Sequence, residues 1–270
     1  MMAADTVDQP HIKQIAEQVP IECDRFPLAI VSVAKALKED SDIPIEDIFR
    51  CGLGFGWFKD IVDVILDARN EVHSLVDELK GCFLLLDSNK KGCIKMHDVV
   101  RDVAKSIASR PEHGFMISCD AELMDWRHKD ICHDSSVISL KFGKLKDYPG
   151  GLECPRLNLL HVAYGWNSAL RECDFFQGMT SLKVLSLQKL EILSDLQSLQ
   201  NLHTLRLEYC RLKDISTILI PLKKLEILSF FSSEIDGVAE SVGRLSNLKL
   251  LDLTNCRVKN EETFDGVFTA

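Results

Sequence analysis

The sequence predicts an α/β solenoid in its second half, preceded by a small α+β domain. From residue 137 onward the pattern L-x-x-L-x-L recurs, with copies that begin at residues 137, 157, 182, 202, 225 and 248. Steps of 20 to 25 residues fall within the range of a leucine-rich repeat, in which each copy contributes one short parallel strand. Residues 1–130 lack this pattern and are predicted to form helices followed by a β-hairpin.

The repeat pattern also predicts how the solenoid is held together. Cys210 and Cys256 occupy the Asn/Cys position of L-x-x-L-x-L-x-x-[NC]-x-L, where a small buried side chain can bond otherwise unpaired backbone groups. One copy buries a few apolar side chains at about 1.5–3 kcal/mol each, which does not offset ordering its residues at about 1.5 kcal/mol each. Neighbouring copies must therefore stack on a shared core. Such arrays need polar caps, and none is evident after the last copy, so we expect the C-terminus of the array to be incomplete.

The residues between and after the leucines of each strand are predicted to point to solvent on the concave face of the solenoid. Charged, polar and aromatic side chains alternate there, a composition typical of protein-binding surfaces. A merely solvated strand face is the alternative interpretation. The candidate protein-binding residues are His161, Tyr164, Ser186, Gln188, Arg206, Glu208, Tyr209, Ser229, Phe231, Asp252 and Asn255.

The first half is predicted to be mainly helical. Helices are expected at 11–19 and 27–37, after Pro44, and over 60–79, where apolar residues follow helical spacing. The glycines of the segment C-G-L-G-F-G (51–56) predict a turn. A β-hairpin with strands at 82–86 and 93–96, and a final helix capped by Asp98, complete a module that resembles a winged-helix domain.

Composition and charge exclude several classes of protein. With 32 basic and 41 acidic residues the net charge is −9, which argues against nucleic-acid binding and against attraction to an anionic membrane. No apolar run approaches the roughly 20 residues of a membrane span, and the N-terminus has no signal-peptide pattern. Ten cysteines without a C-x-x-C pair predict a reduced, intracellular protein without a metal site.

No sequence motif indicates catalysis, and we expect no enzymatic activity. The phosphate-binding pattern G-x-x-x-x-G-K-[ST] is absent, as are the G-x-S-x-G and H-E-x-x-H patterns of hydrolases and metalloproteases. Met96-His97-Asp98 is the one local group of interest, because it places a histidine at a helix N-terminus, where backbone N–H groups favour an anion. A surface histidine beside a helix cap is the alternative interpretation.

A wider resemblance includes this group of residues. The segment M-H-D-V-V-R-D-V-A-K-S-I-A-S (96–109), closely followed by the repeats, resembles plant nucleotide-binding leucine-rich-repeat disease resistance proteins of the coiled-coil type. The segment F-P-L-A-I-V-S-V-A-K-A-L (26–37) resembles their G-L-P-L-A motif, with Arg25-Phe26 in place of Gly-Leu. The resemblance implies a remnant of the helical subdomain of the nucleotide-binding NB-ARC domain at 1–40, its winged-helix part at 41–115, a linker at 116–136, and about six leucine-rich repeats at 137–270.

The resemblance also implies a function. Members of this family switch between ADP and ATP, and His97 would contact the β-phosphate, Asp98 would support that turn and Pro27 would pack near the adenine. The repeats would recognise a pathogen effector or a guarded host protein, and the protein would act in innate immune signalling in the cytoplasm. Full-length receptors of the same family are a further expected partner.

Two other functions stay open, because this chain has no P-loop. The first alternative is a stand-alone leucine-rich-repeat interaction protein, an adaptor or decoy, without nucleotide binding. The second is a nucleotide-binding enzyme subunit that is completed by another polypeptide.

Overall fold

A computed structural model describes residues 42–56, 58, 65–96, 114–119, 129–141, 152–170, 175–193, 196–213, 215–236 and 238–259. The chain divides into two compact units, Met1–Ile117 and Ser118–Ala270. The helices predicted at 11–19 and 27–37, the helix predicted after Asp98 and the region 1–40 lie outside the described residues. The division into the four predicted segments stays a prediction.

The first unit begins with the helix that the sequence predicts after Pro44. Pro44 lies at the N-cap, and helix α1 runs over Ile45–Phe55. The turn predicted for 51–56 is therefore wrong as far as Phe55, since the first two glycines of this segment are helical and buried. Tertiary packing overrides the low helix propensity of glycine here. The third glycine, Gly56, is the C-cap of the helix. Its φ of 74° is the left-handed conformation that is common at helix C-termini.

Helix α2 (Ile65–Gly81) packs against α1. Arg69 joins the two helices, because its Nη2 donates to Glu46 Oε1 at 2.8 Å and its Nε donates to Oε2 at 3.2 Å. The same guanidinium lies 4.8 Å from the ring centroid of Phe49. The predicted helical spacing is confirmed by the buried residues of α2, which are Ala68, Val72, Leu75, Val76 and Leu79.

A three-stranded antiparallel sheet completes the described part of the first unit. Its strands are β1 (Ile43–Pro44), β2 (Leu85–Asp87) and β3 (Cys93–Met96), and β3 lies between the other two. The predicted hairpin is confirmed, but its first strand begins three residues later than residue 82. The strand starts later because the residues after α2 still bond to the end of that helix. Leu84 N, for example, donates to Leu79 O at 2.9 Å.

Asp42 ties this hairpin to β1. Its carboxylate accepts a hydrogen bond from Ser88 Oγ and lies 3.0 Å from Lys90 Nζ and 3.6 Å from Lys95 Nζ. The Ser88 hydroxyl and the Lys90 ammonium hold the pKa of Asp42 below its ordinary value. Because the folded state favours the carboxylate, the stability that Asp42 contributes is lost as the pH falls through this lowered pKa.

Parallel strands dominate the rest of the chain, which confirms the predicted solenoid. The strands are β4 (Phe115–Cys119), β5 (Val137–Lys141), β6 (Leu159–Leu170), β7 (Val184–Leu193), β8 (Thr204–Glu208), β9 (Arg211–Leu212), β10 (Ile227–Ser229), β11 (Glu234–Asp236), β12 (Leu250–Asp252) and β13 (Arg257–Lys259). The helices are α3 (Lys129–Asp134), α4 (Ser216–Leu219) and α5 (Val238–Gly243). The segment predicted as a linker thus contains α3 and most of β4.

Two sheets run along the solenoid. The main sheet has the strand order β12-β10-β8-β7-β6-β5-β4, and its pairs from β5 to β12 are parallel, with one strand from each predicted repeat. The second sheet has the order β13-β11-β9 and is also parallel. Each repeat from β8 onward therefore contributes one strand to each sheet.

The strand register confirms five of the predicted copies and corrects the first. Leu185, Leu205 and Leu228 are aligned as the repeat pattern requires, and each is 0% exposed. For the first copy the predicted alignment of Leu140 with Leu160 is wrong by two residues, because it is Ile138 that pairs with Leu160. A shift of two residues keeps the same side chains on the inner face, so the hydrophobic pattern alone does not distinguish the two registers.

Small side chains bond the turn that follows each strand, as the sequence predicts for Cys210. Its Sγ donates to Glu208 O at 3.3 Å, and burial raises the pKa of the thiol to about 12, so that it stays a protonated donor. Ser233 occupies the same position in the next repeat, where its Oγ donates to Leu207 O at 2.8 Å and accepts from Cys210 N at 2.9 Å. A pattern written for Asn or Cys misses this serine.

A second set of side-chain bonds precedes the strands. Asn201 Nδ2 donates to Thr180 O at 2.9 Å, and Asn247 Nδ2 donates to Lys223 O at 2.6 Å. Each bond reaches back by one repeat and satisfies a carbonyl that lies between strands. The dipeptide Asn-Leu at the start of both copies is the sequence signal for it.

Candidate protein-binding face

Six of the seven strands of the main sheet, all except β4, each place one polar side chain in a row between the core leucines. The strand register places these residues one repeat apart, at the roughly 4.8 Å spacing of paired strands. All of them are buried, with exposed fractions between 0% and 8%. The row consists of Ser139, His161, Ser186, Arg206, Ser229 and Asp252. The prediction that the side chains between the leucines point freely to solvent is wrong for five members of this row, which are His161, Ser186, Arg206, Ser229 and Asp252, and for the nearby Glu208.

Hydrogen bonds between neighbouring strands give the physical reason for this burial. His161 Nδ1 and Ser186 Oγ are hydrogen-bonded at 2.9 Å. Ser229 Oγ donates to Asp252 Oδ2 at 3.0 Å. Burying a polar side chain costs little free energy only when the side chain is hydrogen-bonded. Here the parallel strand pairing places the bonding partner on the adjacent repeat. Sequence periodicity shows which way a side chain points but not what its neighbour one repeat away can bond.

A buried ion pair lies at the centre of this row. Arg206 is 3% exposed and Glu208 is 5% exposed, and Arg206 Nη2 donates to Glu208 Oε1. Gln188 Nε2 donates to the other carboxylate oxygen at 2.8 Å. Both oxygens of the carboxylate are therefore bonded, which is the condition under which a charged pair tolerates removal from water.

The accessible part of the predicted face begins where the strands end. Tyr209 is 41% exposed, and its ring meets that of Phe231 edge to face, with the centroids 5.7 Å apart. The backbone joins the same two residues, since Tyr209 N donates to Phe231 O at 3.0 Å. Asn255 is exposed on the next repeat, whereas Gln188 and Phe231 are half-buried. Tyr209 and Asn255 are therefore exposed to solvent, as predicted. Their role in binding stays a prediction.

The exposed tyrosine has an unusual backbone conformation. The φ of Tyr209 is 55°, and the equivalent residues of the next two repeats, Ser232 and Asn255, have φ values of 53° and 56°. The turn after the strand therefore imposes a left-handed residue in each repeat. Asparagine adopts this region more readily than an aromatic residue does, so Tyr209 occupies a position that favours another residue type.

The remaining predicted site residues are not brought together by the described part of the chain. Tyr164 lies in strand β6, but its side chain is not among those described. His97, Asp98 and Pro27 also lie outside the described residues. A nucleotide site formed by the last three residues stays a prediction.

The second sheet carries a recess that the sequence reasoning missed. Its cavity measures about 540 Å³ and is lined by Glu191, Leu193, Arg211, Leu212, Lys213, Glu234 and Asp236. The register pairs Glu234 with Arg211 on one side and with Arg257 on the other, so opposite charges alternate across the strands. Asp236 Oδ1 is buried and makes no hydrogen bond within the described part of the chain. The alternation of charged and apolar residues in R-L-K (211–213) and E-I-D (234–236) is the signal that could have located it.

The described residues form neither a metal-binding cluster nor a membrane-spanning helix. Among them, no group of three or more His, Cys, Asp and Glu side chains is arranged to hold a metal ion. No helix within the described ranges has both the length and the apolar composition that crossing a membrane requires.

Comparison with solved structures finds repeat proteins at low similarity. Internalin C2 of Listeria monocytogenes is 21% identical, with a TM-score of 0.33 over 45% of this chain and 51% of that one. An internalin F of the same organism is 19% identical, with a TM-score of 0.33 over 49% of this chain and 46% of that one. At these scores the likeness carries no argument, and the solenoid rests on the observed strand pairing.

Comparison of the sequence with curated proteins finds plant relatives. No family model matches the sequence. The disease resistance protein At4g27190 of Arabidopsis thaliana is 25% identical over 93% of this chain and 32% of its own length. The probable disease resistance protein At1g12290 of the same plant is 32% identical over 71% of this chain and 23% of its own length. Disease resistance protein RPS5, also from this plant, is 26% identical over 70% of the chain and 22% of its own length.

These alignments cover most of this chain but only a part of each relative. The chain spans about a third of the length of the first relative and about a quarter of the second. The names of the relatives describe disease resistance and no enzymatic reaction. The resemblance seen in the sequence is confirmed: the chain is a homologue of plant disease resistance proteins and folds as a leucine-rich-repeat solenoid.

Proposed function

We propose that this chain provides the winged-helix and repeat portion of a plant immune receptor, and that its repeats bind a pathogen effector or a guarded host protein. The similarity to plant disease resistance proteins over 71–93% of the chain carries the proposal. A cytoplasmic location, and association with full-length receptors of the same family, belong to the same proposal. The protein would recognise its partner and contribute to immune signalling without catalysing a reaction.

The binding surface that we propose is the row at the strand ends, formed by half-buried Phe231 and exposed Tyr209, Thr254 and Asn255, not the buried row between the leucines. Tyr209 and Phe231 form an aromatic pair across two repeats, and exposed Thr254 and Asn255 continue it on the next repeat. Aromatic side chains give a large contact area at a low cost in conformational entropy, and they dominate protein-binding hot spots.

The backbone conformation of Tyr209 supports this assignment. A left-handed φ of 55° costs on the order of 1 kcal/mol or more for a residue other than glycine. The contact with Phe231 returns about 0.5–1.5 kcal/mol, so that packing alone gives little net reason for a tyrosine at this position. Tyr209 is 41% exposed, and a contact made outside the chain accounts for its presence better than a structural role does.

Replacing Tyr209 with asparagine is expected to weaken partner binding at least about tenfold, a loss of roughly 1.4 kcal/mol or more. Stability is expected to change by less than about 1 kcal/mol, because the relief of backbone strain offsets the lost ring contact. The partner is first identified by photo-crosslinking in plant extract from a probe at Thr254. Calorimetry with the purified partner then gives the dissociation constants.

Ser232→Asn is the matched control, because Ser232 has the same left-handed conformation, with a φ of 53°, on the next repeat. This variant should bind like the unchanged protein. Equal binding by the Tyr209→Asn protein, with its fold intact, would remove the strand-end row from the proposal while leaving the family relationship in place.

A second candidate function, nucleotide binding, is favoured by the Met96-His97-Asp98 sequence. Strand β3 ends at Met96, directly before His97. By the resemblance, His97 would donate a hydrogen bond to a β-phosphate oxygen of ADP, Asp98 would support this turn and Pro27 would pack against the adenine. ADP or ATP would act here as the ligand of a conformational switch. The chain contains no G-x-x-x-x-G-K-[ST] segment, so other groups would have to hold the remaining phosphates.

Calorimetry with ADP tests this second candidate on the full chain. Measurable binding heat is expected, and it should be lost in His97→Ala, because the hydrogen bond to the phosphate disappears. His133→Ala is the control, since His133 is an exposed histidine of the other unit. Absence of heat at millimolar ADP would instead support the alternative function of a repeat-based adaptor or decoy without nucleotide binding.

A further inference from the structure

The recess in the second sheet begins where the backbone pairing of that sheet stops. Strand β9 pairs with β11 on one side, and on its other side it lies next to the end of β7. Among the described strands, β9 and β7 are not paired with each other. The recess extends from β7 across β9 to β11, and its cavity of about 540 Å³ is within the size range of ligand-binding clefts.

Acidic and basic side chains are exposed to different degrees around this recess. Glu191 in β7 and the two acidic residues of β11, Glu234 and Asp236, are half-buried. Arg211 and Lys213 are exposed. The carboxylates therefore lie nearer to the floor of the recess, and the two cations lie at its rim. A ligand that fits this arrangement carries a positive charge inside the recess and negative charges outside it.

Asp236 is the acidic residue that most needs such a cation. Its Oδ1 atom is buried without a hydrogen bond, and within the described part of the chain its side chain forms no ion pair. A partly desolvated carboxylate without a partner costs free energy in the unliganded protein. A cation that reaches the recess removes this cost, so the free protein is prepared for a positively charged group.

Two leucines provide apolar surface beside these carboxylates. Leu193 and Leu212 line the recess and are 7% and 3% exposed. An arginine side chain combines an aliphatic stem, which packs against leucine, with a planar cation whose five N–H groups can bond several carboxylate oxygens. A lysine ammonium is more compact and more strongly hydrated. Arginine therefore matches both the apolar and the acidic part of the recess.

We propose that the recess binds an arginine side chain of a partner polypeptide, within a segment in which acidic residues flank that arginine. The guanidinium donates hydrogen bonds to the carboxylates of Asp236 and Glu191, and the arginine stem packs on the leucines. The flanking acidic side chains meet Arg211 and Lys213 at the rim. The recess shares no residue with the strand-end row, so this proposal does not rest on that surface.

Two blocked tripeptides test the proposal on the full-length, unchanged protein. One is acetyl-Asp-Arg-Asp-amide, and the other carries citrulline, in which an uncharged urea group replaces the guanidinium. Nuclear magnetic resonance of methyl-labelled protein follows the Leu193 and Leu212 signals during each titration. We expect the arginine peptide to shift these signals and to bind at least about tenfold more tightly than the citrulline peptide, because only the guanidinium compensates the charge of Asp236.

Two variants of the protein sharpen the result. Asp236→Asn should lose at least about tenfold in affinity for the arginine peptide, and it should unfold at a higher temperature than the unchanged protein, because an uncompensated charge is removed. Glu226→Gln is the matched control. Glu226 is also a half-buried carboxylate of this unit, but it lies outside the recess and pairs with Lys249 at 3.3 Å. This variant should bind the peptide like the unchanged protein.

Equal affinity for the two peptides would overturn the proposal. That result is expected if Lys259, which the strand register sets opposite Asp236, already neutralises this carboxylate. Unchanged affinity in Asp236→Asn would overturn it as well, and so would the absence of any shift of the Leu193 and Leu212 signals at millimolar peptide. Because the tests use defined peptides, their failure would leave the partner binding proposed for Tyr209 in place.

Discussion

Arg206→Met is expected to lower the free energy of unfolding by about 3–5 kcal/mol. The substitution preserves an aliphatic chain but leaves the Glu208 carboxylate, 5% exposed, without its charged partner. Gln188 still donates one hydrogen bond to that carboxylate, but a neutral amide does not balance a buried charge. Urea denaturation of the purified protein, followed by circular dichroism, measures the difference.

Two further variants separate the burial of charge from the loss of a contact. The double variant Arg206→Met/Glu208→Leu removes both charges and is expected to recover most of the lost stability, because apolar replacements of buried ion pairs are often neutral. Lys80→Met breaks the pair between Lys80 and Asp87, whose carboxylate side chain is 86% exposed, and should cost less than about 1 kcal/mol. If the double variant were as unstable as Arg206→Met alone, uncompensated charge would not be the cause.

Leu205→Ala should destabilise the solenoid by about 2–5 kcal/mol, through lost apolar burial and the cavity that remains. Leu205 is 0% exposed and is paired in register with Leu185 and Leu228. A cavity at this position lies between two stacked repeats, so it weakens both nearest-neighbour interfaces. The same denaturation experiment gives the magnitude, and a broadened transition would show that the repeats no longer unfold together.

Leu251→Ala is the matched comparison, because Leu251 pairs in register with Leu228 at the last described repeat. This residue is half-buried, so we expect a clearly smaller loss than at Leu205. Equal losses at the two positions would contradict the view that stacking on both sides makes the inner repeats the more stable part of the solenoid.

The repeating core was predictable from the sequence because its signal is local and occurs six times. Each L-x-x-L-x-L copy marks a strand, and the copies after the first are aligned in the predicted register. The Cys210 position in the turn was predictable for the same reason. The first copy was placed two residues too late, because alternation along a strand repeats every two residues and leaves that shift undetermined.

The candidate site was only partly predictable. Tyr209 and Asn255 are exposed as expected, but the polar residues between the leucines are buried by their neighbours in the adjacent repeats. The sequence predicts Arg206 and Glu208 as two solvent-facing groups, whereas the folded chain pairs them. The glycines of 51–56 predict a turn, whereas tertiary packing keeps this segment helical as far as Phe55.

Periodicity along the chain was therefore enough to establish the solenoid, six of the seven strands of its main sheet and the inward direction of its leucines. Strand β4 and the second sheet lie outside the predicted pattern. These properties depend on the hydrophobic pattern of short segments, which is repeated and mutually consistent. The row from His161 to Asp252 and the recess beside Asp236 emerged only in the folded chain. Each joins residues from different repeats, and the side chains that meet across such a distance depend on strand register and close packing.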